Sequence, residues 1–399
     1  MRIAFIGQKG IPALSGGVEK HVENVAVRMA QSGHSVFVYV RSHYTDPSLL
    51  KYKGVTLVHI PSIRTKNLDA ITHTLFSTLH ALFQGYDIIH YQSVGPATLS
   101  FIPRWLLWKT QVVATFHCQD HLHKKWGWFA RAYLKFGEYI ICTIPKKTIV
   151  VSRELQEYAV RTYGRKGEFI PNGADVKVRI ESDAVSRFGL KEKRYILSVG
   201  RLVKHKGVHY LINAFKQLED TNKLPNNFKL VIVGKNSETP EYEEYLKMMS
   251  VGRENILFLG EQTGKSLQQL FANAYLFVQP SESEGMSISL LEAMGYGLAT
   301  VVSSIDANTQ VVSDTGVVFE NKQPNDLRDK LAYLLNQPDK VAVLGAKAQQ
   351  RIADHFSWDA IAKQTIQTYQ SVVSNIVTEP QTSVRFRTSG SIKSHTFFK

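Results

Sequence analysis

The amino-acid sequence predicts an α/β fold in which two doubly wound parallel sheets form separate domains. The chain has 399 residues, more than one ordinary core accommodates, so two or three domains are expected. Short apolar segments of strand length alternate with amphipathic segments of helix length, which is typical of parallel sheets with helices on both faces. A second series of this kind begins after Pro171–Asp175, where GEFIPNGADV brings proline, asparagine and glycine together.

The first series of elements fills residues 1–172 and predicts the first domain. Its strand-like segments are short apolar runs, and its helical segments repeat apolar residues at spacings of three and four. In chain order we expect strand RIAFIG, helix 17–32, strands SVFVYV and VTLVHI, helix 67–84, strands DIIHY and QVVATF, helix 125–142, strand TIVVS and helix 153–163.

The second series predicts a second domain over residues 173–357. In chain order it gives strand RYILSVG, helix 208–219, strand FKLVIVG, helix 240–250, strand ILFLG, helix 266–274, strand YLFVQP, helix 287–296 and strand TVVSS. A further amphipathic helix over residues 358–376 follows after all strands are used, and we expect it to cross back onto the first domain. Residues 377–399 are polar and non-periodic, which predicts a flexible basic tail.

Composition limits the class of protein. With 44% hydrophobic and 21% charged residues, the chain is typical of a soluble globular protein. Its longest apolar runs, such as Phe101–Trp108, are far shorter than the roughly 20 residues that span a bilayer. The start MRIAFIGQKG lacks the features of a signal peptide, and two cysteines, Cys118 and Cys142, give no disulfide framework. We therefore expect a cytoplasmic protein.

The net charge of +14 is concentrated in the first half of the chain. Residues 1–175 hold 21 lysines and arginines against 11 acidic residues, and residues 101–150 hold eight against two. Such a surface suits an acidic partner: nucleic acid, a phosphorylated acceptor or an anionic membrane surface. An ordinary solvated basic face explains the charge equally well.

Two nucleotide-binding motifs are incomplete. FLGEQTGKS leaves three residues between Gly260 and Gly264, where a phosphate-binding P-loop has four. The first strand ends in Gly7-Gln-Lys-Gly10 and not in G-x-G-x-x-G, and the second ends at Arg41, where a ribose-binding acid is expected. The sequence therefore argues against a P-loop and against nicotinamide or flavin cofactors.

A metal site is weakly indicated by the loop FHCQDHLH. Four potential ligands lie within seven residues, but they follow a strand directly, so the helical spacing that would let two histidines clamp zinc is not assured. We favour a polar loop at the mouth of a cleft over a metal site, and no Asp-x-Asp pair for a metal–diphosphate occurs in the chain. The four residues are His117, Asp120, His121 and His123.

Charged residues follow two strands of the second series. Strand RYILSVG is followed by Arg201 and, just before a helix, by Lys206; strand YLFVQP is followed by Glu284 in the turn SESEG and by Glu292 in the helix SISLLEAMGYG. Because ligands bind beyond the carboxyl ends of such strands, the four side chains are candidates for one site. The two cations suit a diphosphate. The two acids alternatively serve as a helix-start carboxylate and a solvated surface residue.

These residues lie in motifs that resemble a known family. G-R-L-x3-K-G at 200–207, followed by E-x7-E within SEGMSISLLEAMGYG, is similar to the donor-binding half of the retaining nucleotide-sugar glycosyltransferases of family 4, which have the GT-B fold. FIPNGAD (169–175) resembles the family's interdomain segment, and FSWDAIAKQTIQTY (356–369) its returning helix. The resemblance covers nearly the whole chain and implies two Rossmann-like domains that face each other across a cleft.

The resemblance also implies a role for each candidate. Arg201 and Lys206 would neutralise the diphosphate of the donor without a metal or another cofactor, and Glu292 would accept hydrogen bonds from the ribose hydroxyls. Glu284 would hold the donor sugar and favour its cationic transition state. In this it would be helped by the N–H groups of the next three residues, Gly285, Met286 and Ser287.

The first half carries a resemblance of its own. In SGGVEKHV (15–22), Gly16 and Gly17 would let backbone N–H groups approach a phosphate or sugar, although a tight turn before the helix explains them too. IGQKGIPALSGGVEKHV and HCQDHLHKKWGWFARAYLKFGE resemble the rhamnosyltransferase-type subgroup of surface-polysaccharide and lipopolysaccharide synthesis. In that subgroup His117 and Asp120 occupy positions expected to face the donor sugar and the acceptor, whereas Cys118 replaces a common glycine.

The implied activity is a metal-independent, retaining transfer of a hexosyl group from a nucleoside-diphosphate sugar to a glycan or lipid-linked acceptor. The subgroup resemblance implies that rhamnose is a candidate for the transferred sugar. The departing diphosphate would take the acceptor proton on the same face of the sugar, and a double displacement through a carboxylate is the alternative route. Two other classes stay open. A nucleotide-sugar epimerase of the same fold would need no acceptor, and a non-enzymatic basic binding protein would leave the four charged candidates without a role. We expect no nucleic-acid partner.

A membrane contact is predicted for KKWGWFARAYLKFGEYI (124–140). Its lysines and arginines alternate with aromatic residues, a mixture that suits an anionic interface. On this interpretation the protein is peripheral on the cytoplasmic face of the inner membrane. A core helix with basic flanks fits the same pattern.

Overall fold

The computed structural model describes residues 1–65, 68–122, 127–177, 183–235 and 240–378. Within these ranges the strands form two sheets. The strands are β1 (Arg2–Ile6), β2 (Ser35–Arg41), β3 (Lys51–Tyr52), β4 (Val55–Ile60), β5 (Ile88–Gln92), β6 (Gln111–Phe116), β7 (Lys147–Val150), β8 (Glu168–Phe169), β9 (Tyr195–Val199), β10 (Lys229–Val233), β11 (Ile256–Phe258), β12 (Leu276–Gln279), β13 (Ala299–Ser303) and β14 (Val317–Phe319).

Helices connect most of the strands. They are α1 (Gly17–Gln31), α2 (Leu68–Ala81), α3 (Val94–Ala97), α4 (Phe101–Leu106), α5 (Trp128–Thr143), α6 (Arg153–Tyr163), α7 (Asp183–Arg187), α8 (Val208–Asp220), α9 (Pro240–Met249), α10 (Gly264–Asn273), α11 (Ile288–Gly295), α12 (Asp306–Val312), α13 (Pro324–Leu335), α14 (Pro338–His355) and α15 (Trp358–Thr378).

Both sheets are doubly wound, which confirms the predicted fold class. The first has eight strands in the order β3-β4-β2-β1-β5-β6-β7-β8, and the second has six in the order β11-β10-β9-β12-β13-β14. All neighbouring strands are parallel except the short pair of β3 and β4. The strands of the first sheet lie within the predicted residues 1–172, and those of the second within residues 173–357.

Every helix and strand predicted from the sequence is present, with ends that differ by a few residues. The elements that the sequence analysis did not predict are short or lie late in the chain: β3, α3, α4, β8, α7, α12, β14, α13 and α14. Of the predicted tail 377–399, the first two residues belong to α15, and the remainder lies outside the described residues.

The direction of each crossover decides which face of the first sheet a helix covers. The chain moves one way from β1 through α1 to β2, and the other way from β4 through α2 to β5, β6, β7 and β8. Because such crossovers are right-handed, α1 lies on one face and α2 to α6 lie on the other. The α1 face has a core that includes Ile3, Phe5 and Val25, and the opposite face has one that includes Ile6, Tyr91 and Phe116.

The last helix, α15, packs on α1 as expected for a helix that returns to the first half. Trp358 and Tyr369 of α15 are buried in the core on that face. Arg28 of α1 joins the two ends of the connection, because its guanidinium lies 2.6 Å from Asp175 and 2.6 Å from Asp359. The chain therefore passes between its two halves twice, near residue 175 and near residue 357.

The parallel arrangement brings the carboxyl ends of both sheets to one cleft. His117 follows β6, Arg201 follows β9 and Glu284 follows β12. The glycine pair before α1 belongs to the same edge of the first sheet. All four motifs found in the sequence therefore open toward the space between the sheets.

Candidate active site

A cleft with a volume of about 1020 Å³ separates the two halves of the chain. Residues from the carboxyl ends of both sheets line it. Ten of the eleven catalytic and donor-site residues that the sequence indicated are among them: Gly16, Gly17, His117, Arg201, Lys206, Glu284, Gly285, Met286, Ser287 and Glu292. Asp120 is not among the residues that line the cleft.

Lys206 and Glu284 form the central ion pair of the cleft. The ammonium of Lys206 donates to Oε1 of Glu284 at 2.6 Å, and the two side chains are 18% and 10% exposed. Gln279 and Ser281 donate to the same oxygen at 2.8 and 2.7 Å. Oε2 receives no hydrogen bond from any described residue. The carboxylate is thus held by one oxygen, while its other oxygen stays available.

The charge state of Glu284 follows from this arrangement. Burial acts to raise the pKa of the carboxyl group, but the positive charge and hydrogen bond of Lys206, with the hydrogen bond of Ser281, outweigh it and bring the pKa below its ordinary value. The carboxylate is ionised at neutral pH. The cleft therefore contains a fixed negative charge beside a cation that keeps two further N–H groups free to bind a ligand.

A glycine makes the Lys206–Glu284 contact possible. Gly207 has a φ of 68°, in the left-handed region, and a Cβ at this position would collide with the carbonyl oxygen of Pro280. The loop after β9 and the loop after β12 can therefore approach each other at backbone level. This approach places Lys206 against the segment that ends in Glu284.

The start of α11 presents backbone donors to the cleft. Ser287 is the N-cap residue, and its Oγ accepts a hydrogen bond from the N–H of Leu290 at 3.4 Å. In the part of the chain that the structure describes, the N–H groups of Gly285 and Met286 have no hydrogen-bond acceptor. A Cβ on Gly285 would collide with the carbonyl oxygen of His117, so the two halves of the chain touch at this point. The positive end of α11 favours an anion here.

Arg201 is the exposed cation of the site. Its guanidinium lines the cleft and makes no hydrogen bond or ion pair with the described residues. Lys206 is instead paired with Glu284, although both cations were predicted to bind one diphosphate. Arg201 therefore keeps all its donors for a ligand.

Glu292 is engaged across the cleft. Its carboxylate pairs with the ammonium of Lys20 on α1, and the two side chains are 21% and 35% exposed. The sequence analysis gave Lys20 no role. The sequence signal that could have indicated Lys20 was its position one helical turn after Gly16 and Gly17. The pairing itself depends on how the two sheets face each other. Glu292, the residue predicted to bind the ribose, is thus paired with the opposite wall of the cleft.

His117 is a buried, neutral side chain at the base of the cleft. Its Nε2 lies 2.9 Å from Oε1 of Gln92, and its ring meets the edge of the His21 ring at 5.1 Å. Burial lowers the pKa of His117 well below 6.5, and the neighbouring His21 and His90 lower it further. Its Nδ1 has no hydrogen-bond partner within the described ranges. His117 is suited to a hydrogen bond with a neutral group and not to carrying a charge.

Cys118 and Asp120 interact with each other. The thiol of Cys118 donates to Oδ1 of Asp120 at 3.1 Å, and burial together with the nearby carboxylate raises the pKa of the thiol well above its ordinary value. The thiol therefore stays protonated and is not a nucleophile. Asp120, which was predicted to face donor sugar and acceptor, begins a short 3₁₀ helix, Asp120–Leu122, beside the cleft.

Asn172 was also not singled out by the sequence analysis. Its side-chain oxygen lies 2.9 Å from Nδ1 of His21, and its amide donates to the carbonyl of Met286 at 3.1 Å. The interdomain segment FIPNGAD therefore fixes α1 and the loop before α11 to each other. Asparagine suits this position because one side chain supplies both an acceptor and a donor.

The described residues contain no group of three or more His, Cys, Asp or Glu side chains placed to hold a metal ion. His123, one of the four potential ligands in the loop, lies outside the described residues, as do residues 124–126 of the predicted membrane contact. None of the described helices combines the length with the apolar composition that crossing a bilayer requires.

Comparison with known families divides the chain in two. Residues 15–178 match the family model described as Glycosyltransferase Family 4, and residues 182–351 match the model described as Glycosyl transferases group 1. The two matches meet at the interdomain segment.

Relatives similar to nearly the whole chain include three glycosyltransferases. An uncharacterized glycosyltransferase of Methanocaldococcus jannaschii is 26% identical over 93% of this chain and 98% of the relative. The D-rhamnosyltransferase WbpZ of Pseudomonas aeruginosa is 28% identical over 90% of this chain and 92% of its own. A phosphatidyl-myo-inositol mannosyltransferase of Mycolicibacterium smegmatis is 24% identical over 90% of each chain.

Solved structures share the fold. Sucrose-phosphate synthase from Thermosynechococcus elongatus superposes with a TM-score of 0.79 at 22% identity, covering 94% of this chain and 99% of that one. Anabaena HepE in complex with UDP-glucose has a TM-score of 0.76 at 19% identity and covers 93% and 100% of the two chains. The predicted GT-B architecture is confirmed by these likenesses.

Proposed function

We propose that this chain, a GT-B glycosyltransferase with a family 4 domain followed by a group 1 domain, is a retaining, metal-independent hexosyltransferase. The donor is a nucleoside-diphosphate sugar, and the sugar is rhamnose or a related hexose. The acceptor is a lipid-linked glycan of the cell surface. The similarity to a D-rhamnosyltransferase and to a phosphatidyl-myo-inositol mannosyltransferase supports the classes of sugar and acceptor.

The observation that carries the proposal is the way Glu284 is held. Three donors fix one oxygen of this buried carboxylate, and the other oxygen is available in the cleft beside the start of α11. A fixed, ionised carboxylate stabilises the positive charge that develops on the donor sugar. Arg201 and the two free N–H groups of Lys206 stabilise the negative charge that develops on the departing diphosphate. No metal is needed for that neutralisation.

The proposed reaction keeps the configuration of the sugar. The bond between the anomeric carbon and the diphosphate oxygen breaks, and the acceptor hydroxyl forms its bond on the same face. The hydroxyl proton passes to the departing diphosphate. We favour this route over a double displacement because Glu284 is held beside a cation by three hydrogen bonds and is assigned to holding the sugar. Glu292, released from Lys20, binds the ribose, and His117 gives the sugar a neutral hydrogen bond.

The first half of the chain supplies the acceptor side. Gly16 and Gly17 stand opposite α11, since Gly17 lies close to Ile288. We assign their backbone to the donor phosphate or sugar. Asp120 is assigned to the acceptor. We place the enzyme in the cytoplasm, peripheral on the inner membrane, because both cysteines are free, as expected in a reducing compartment, and the acceptor carries a lipid.

One experiment tests the activity and separates the alternatives. The protein is incubated with a panel of nucleotide sugars, with and without lipid extract, and products are identified by mass spectrometry and by NMR of the anomeric proton. Transfer with retained configuration, undiminished by EDTA, is expected. Isomerised donor without acceptor indicates an epimerase. No change in any donor indicates a binding protein, and an inverted product or abolition by EDTA overturns the retaining or the metal-independent assignment.

A further inference from the structure

Polar side chains form a row on the buried face of the first sheet and reach the cleft at its edge. Strands β5 and β6 are parallel neighbours, and Gln92 is paired in register with Thr115. Because side chains alternate along a strand, His90 and Gln92 lie on one face, together with Thr115 and, just after β6, His117. Nε2 of His90 lies 2.7 Å from Oγ1 of Thr115, and Nε2 of His117 lies 2.9 Å from Oε1 of Gln92. The sheet itself therefore brings His117 against Gln92.

The contact with Gln92 decides which nitrogen of the His117 ring carries a proton. The amide oxygen Oε1 can only accept a hydrogen bond, so Nε2 of the ring must donate it. The ring is neutral, because burial and two neighbouring histidines hold the pKa of His117 well below its ordinary value. A neutral imidazole has one N–H group. With the proton on Nε2, the other nitrogen, Nδ1, has a lone pair and accepts hydrogen bonds.

Nδ1 is the atom of the His117 ring that a ligand can reach. The side chain lines the cleft, and Nδ1 has no partner among the described residues but is not sealed from solvent. The backbone carbonyl of His117 lies against Gly285, directly after Glu284, so the ring is close to the residues assigned to the donor sugar. A lone pair at this place binds a hydroxyl or an N–H group and repels an oxyanion.

The other end of the Gln92 amide has no partner. Its Nε2 is buried, and no group in the described part of the chain accepts a hydrogen bond from it. A buried N–H group without an acceptor destabilises a fold. Asn172 differs in this respect, because its amide oxygen and nitrogen are both engaged. Among the described residues the amide of Gln92 bonds to His117 alone, which indicates a role in the site and not in folding.

We propose that Gln92 is a positioning residue that fixes the proton of His117 on Nε2 and so reserves Nδ1 to accept a hydrogen bond from a hydroxyl group of the donor sugar. The identity of the ligand as a sugar rests on the proposed function, whereas the position of the proton does not. The inference narrows the class of donor. A sugar with a free hydroxyl opposite Nδ1 gains a hydrogen bond, and one with a carboxylate, a carbonyl or a fluorine there does not.

Nitrogen NMR of the full chain, with nitrogen-15 in its histidines, tests the position of the proton. The signals of His117 are assigned by their loss in His117→Gln. We expect an N–H group at Nε2 and a bare nitrogen at Nδ1. In Gln92→Met the acceptor is gone, so the proton should move to Nδ1, where cleft water accepts its hydrogen bond. The control Gln111→Met changes a glutamine at the far end of β6, only 7% exposed, and should leave the signals of His117 unchanged.

Turnover of fluorinated donors tests the consequence for the sugar. The donor that the panel identifies is compared with analogues in which one hydroxyl at a time is replaced by fluorine, which cannot donate a hydrogen bond. Fluorine also slows the reaction inductively, but equally in every variant, so the ratios of kcat/KM between proteins are used. At one position the unchanged protein and Gln111→Met should discriminate against fluorine at least about tenfold more than Gln92→Met does.

Three outcomes would overturn the proposal. They are a proton on Nδ1 of His117 in the unchanged protein, signals of His117 that do not change in Gln92→Met, and equal discrimination against fluorine by all three proteins at every position. The two levels of the inference fail separately. Sugar transfer with the proton on Nδ1 refutes the role of Gln92 alone. A proton on Nε2 that moves in Gln92→Met, without turnover of any nucleotide sugar, refutes the proposed function and leaves the role of Gln92 in place.

Discussion

Removing the charge of Glu284 should destabilise the protein as well as stop its reaction. In Glu284→Gln, the amide still accepts hydrogen bonds from Gln279 and Ser281, but Lys206 loses its counter-charge at a position where it is only 18% exposed. Breaking one side of a buried ion pair costs about 3–5 kcal/mol. Because Lys206 keeps some contact with water, we expect the lower limit, about 3 kcal/mol. For a domain of this size that lowers the melting temperature by about 6–12 °C.

A double variant separates stability from catalysis. Lys206→Met alone should also destabilise, because it leaves a carboxylate buried without its cation. In Glu284→Gln/Lys206→Met neither charge remains, so most of the lost stability should return, with a coupling energy of about 2 kcal/mol. Turnover should not return, because both groups are proposed to act on the donor. Each single variant and the double variant should lose at least about 100-fold in kcat.

Urea unfolding and turnover of the four proteins measure the two effects. Stability is followed by circular dichroism at pH 7.5, roughly 3 pH units above the ordinary pKa of a glutamate. The control is Lys247→Met, which breaks the exposed pair with Glu243 on α9 and should change the free energy of unfolding by no more than about 0.5 kcal/mol. Since the pKa of Glu284 is lowered by folding, its contribution is complete above about pH 4.5 and is lost as the pH falls through the lower, folded value.

Two results would refute this reasoning. If the double variant is as unstable as the sum of the single variants, the two side chains are not coupled and the ion pair does not organise the site. If the double variant is stable and retains turnover, the pair is structural and the assignment of both residues to the donor is wrong.

Three other variants test separate parts of the site. Arg201→Ala should lower kcat by at least about 100-fold with an unchanged urea midpoint, because the guanidinium has no partner among the described residues; full turnover would remove Arg201 from the site. Lys20→Met should tighten nucleotide binding by up to about fivefold, as measured by calorimetry, because it frees Glu292 from a partly exposed ion pair. Weaker binding would show that Lys20 itself contacts the nucleotide. The free energy of unfolding should fall as the pH drops from 6.5 toward 4, by up to about 1.4 kcal/mol per pH unit for each buried histidine. Burial lowers the pKa of His21 to about 4, so only the unfolded chain takes up its proton there; His21→Gln should flatten the slope of urea midpoints against pH, and an equal slope would contradict the assignment.

The parts of the site that follow from local pattern were predictable. Glu284 and Ser287 lie at the end of a buried strand and the start of a helix, and strand ends of one sheet must meet at one edge. The same argument located Arg201 and Lys206. It could not give the ion pair between Lys206 and Glu284, because that contact depends on the close approach of two loops at Gly207 and Pro280.

Contacts between the two halves could not be predicted from the sequence. Lys20 and Asn172 were missed because their partners, Glu292 and Met286, belong to the other half of the chain, and no spacing within one segment encodes that meeting. The helices α13 and α14 were missed although proline begins each of them, a recognised start signal. Helix α4 was also missed, and Trp105 and Trp108 of the same apolar run lie exposed.

The packing of α15 against α1 has a consequence for the order in which the two halves fold during synthesis. Strand β1 leaves the ribosome first, but one side of its core, at Ile3 and Phe5, is completed only by Trp358, Ile361 and Tyr369. Tyr369 contributes more than apolar surface, because its hydroxyl lies 2.5 Å from Nδ1 of His90 inside that core. At about 5–20 residues per second, the segment that completes the first half emerges roughly ten to forty seconds after residue 172. The half that is made first is therefore the half that finishes last, and deleting residues after 357 would damage the beginning of the chain more than its end.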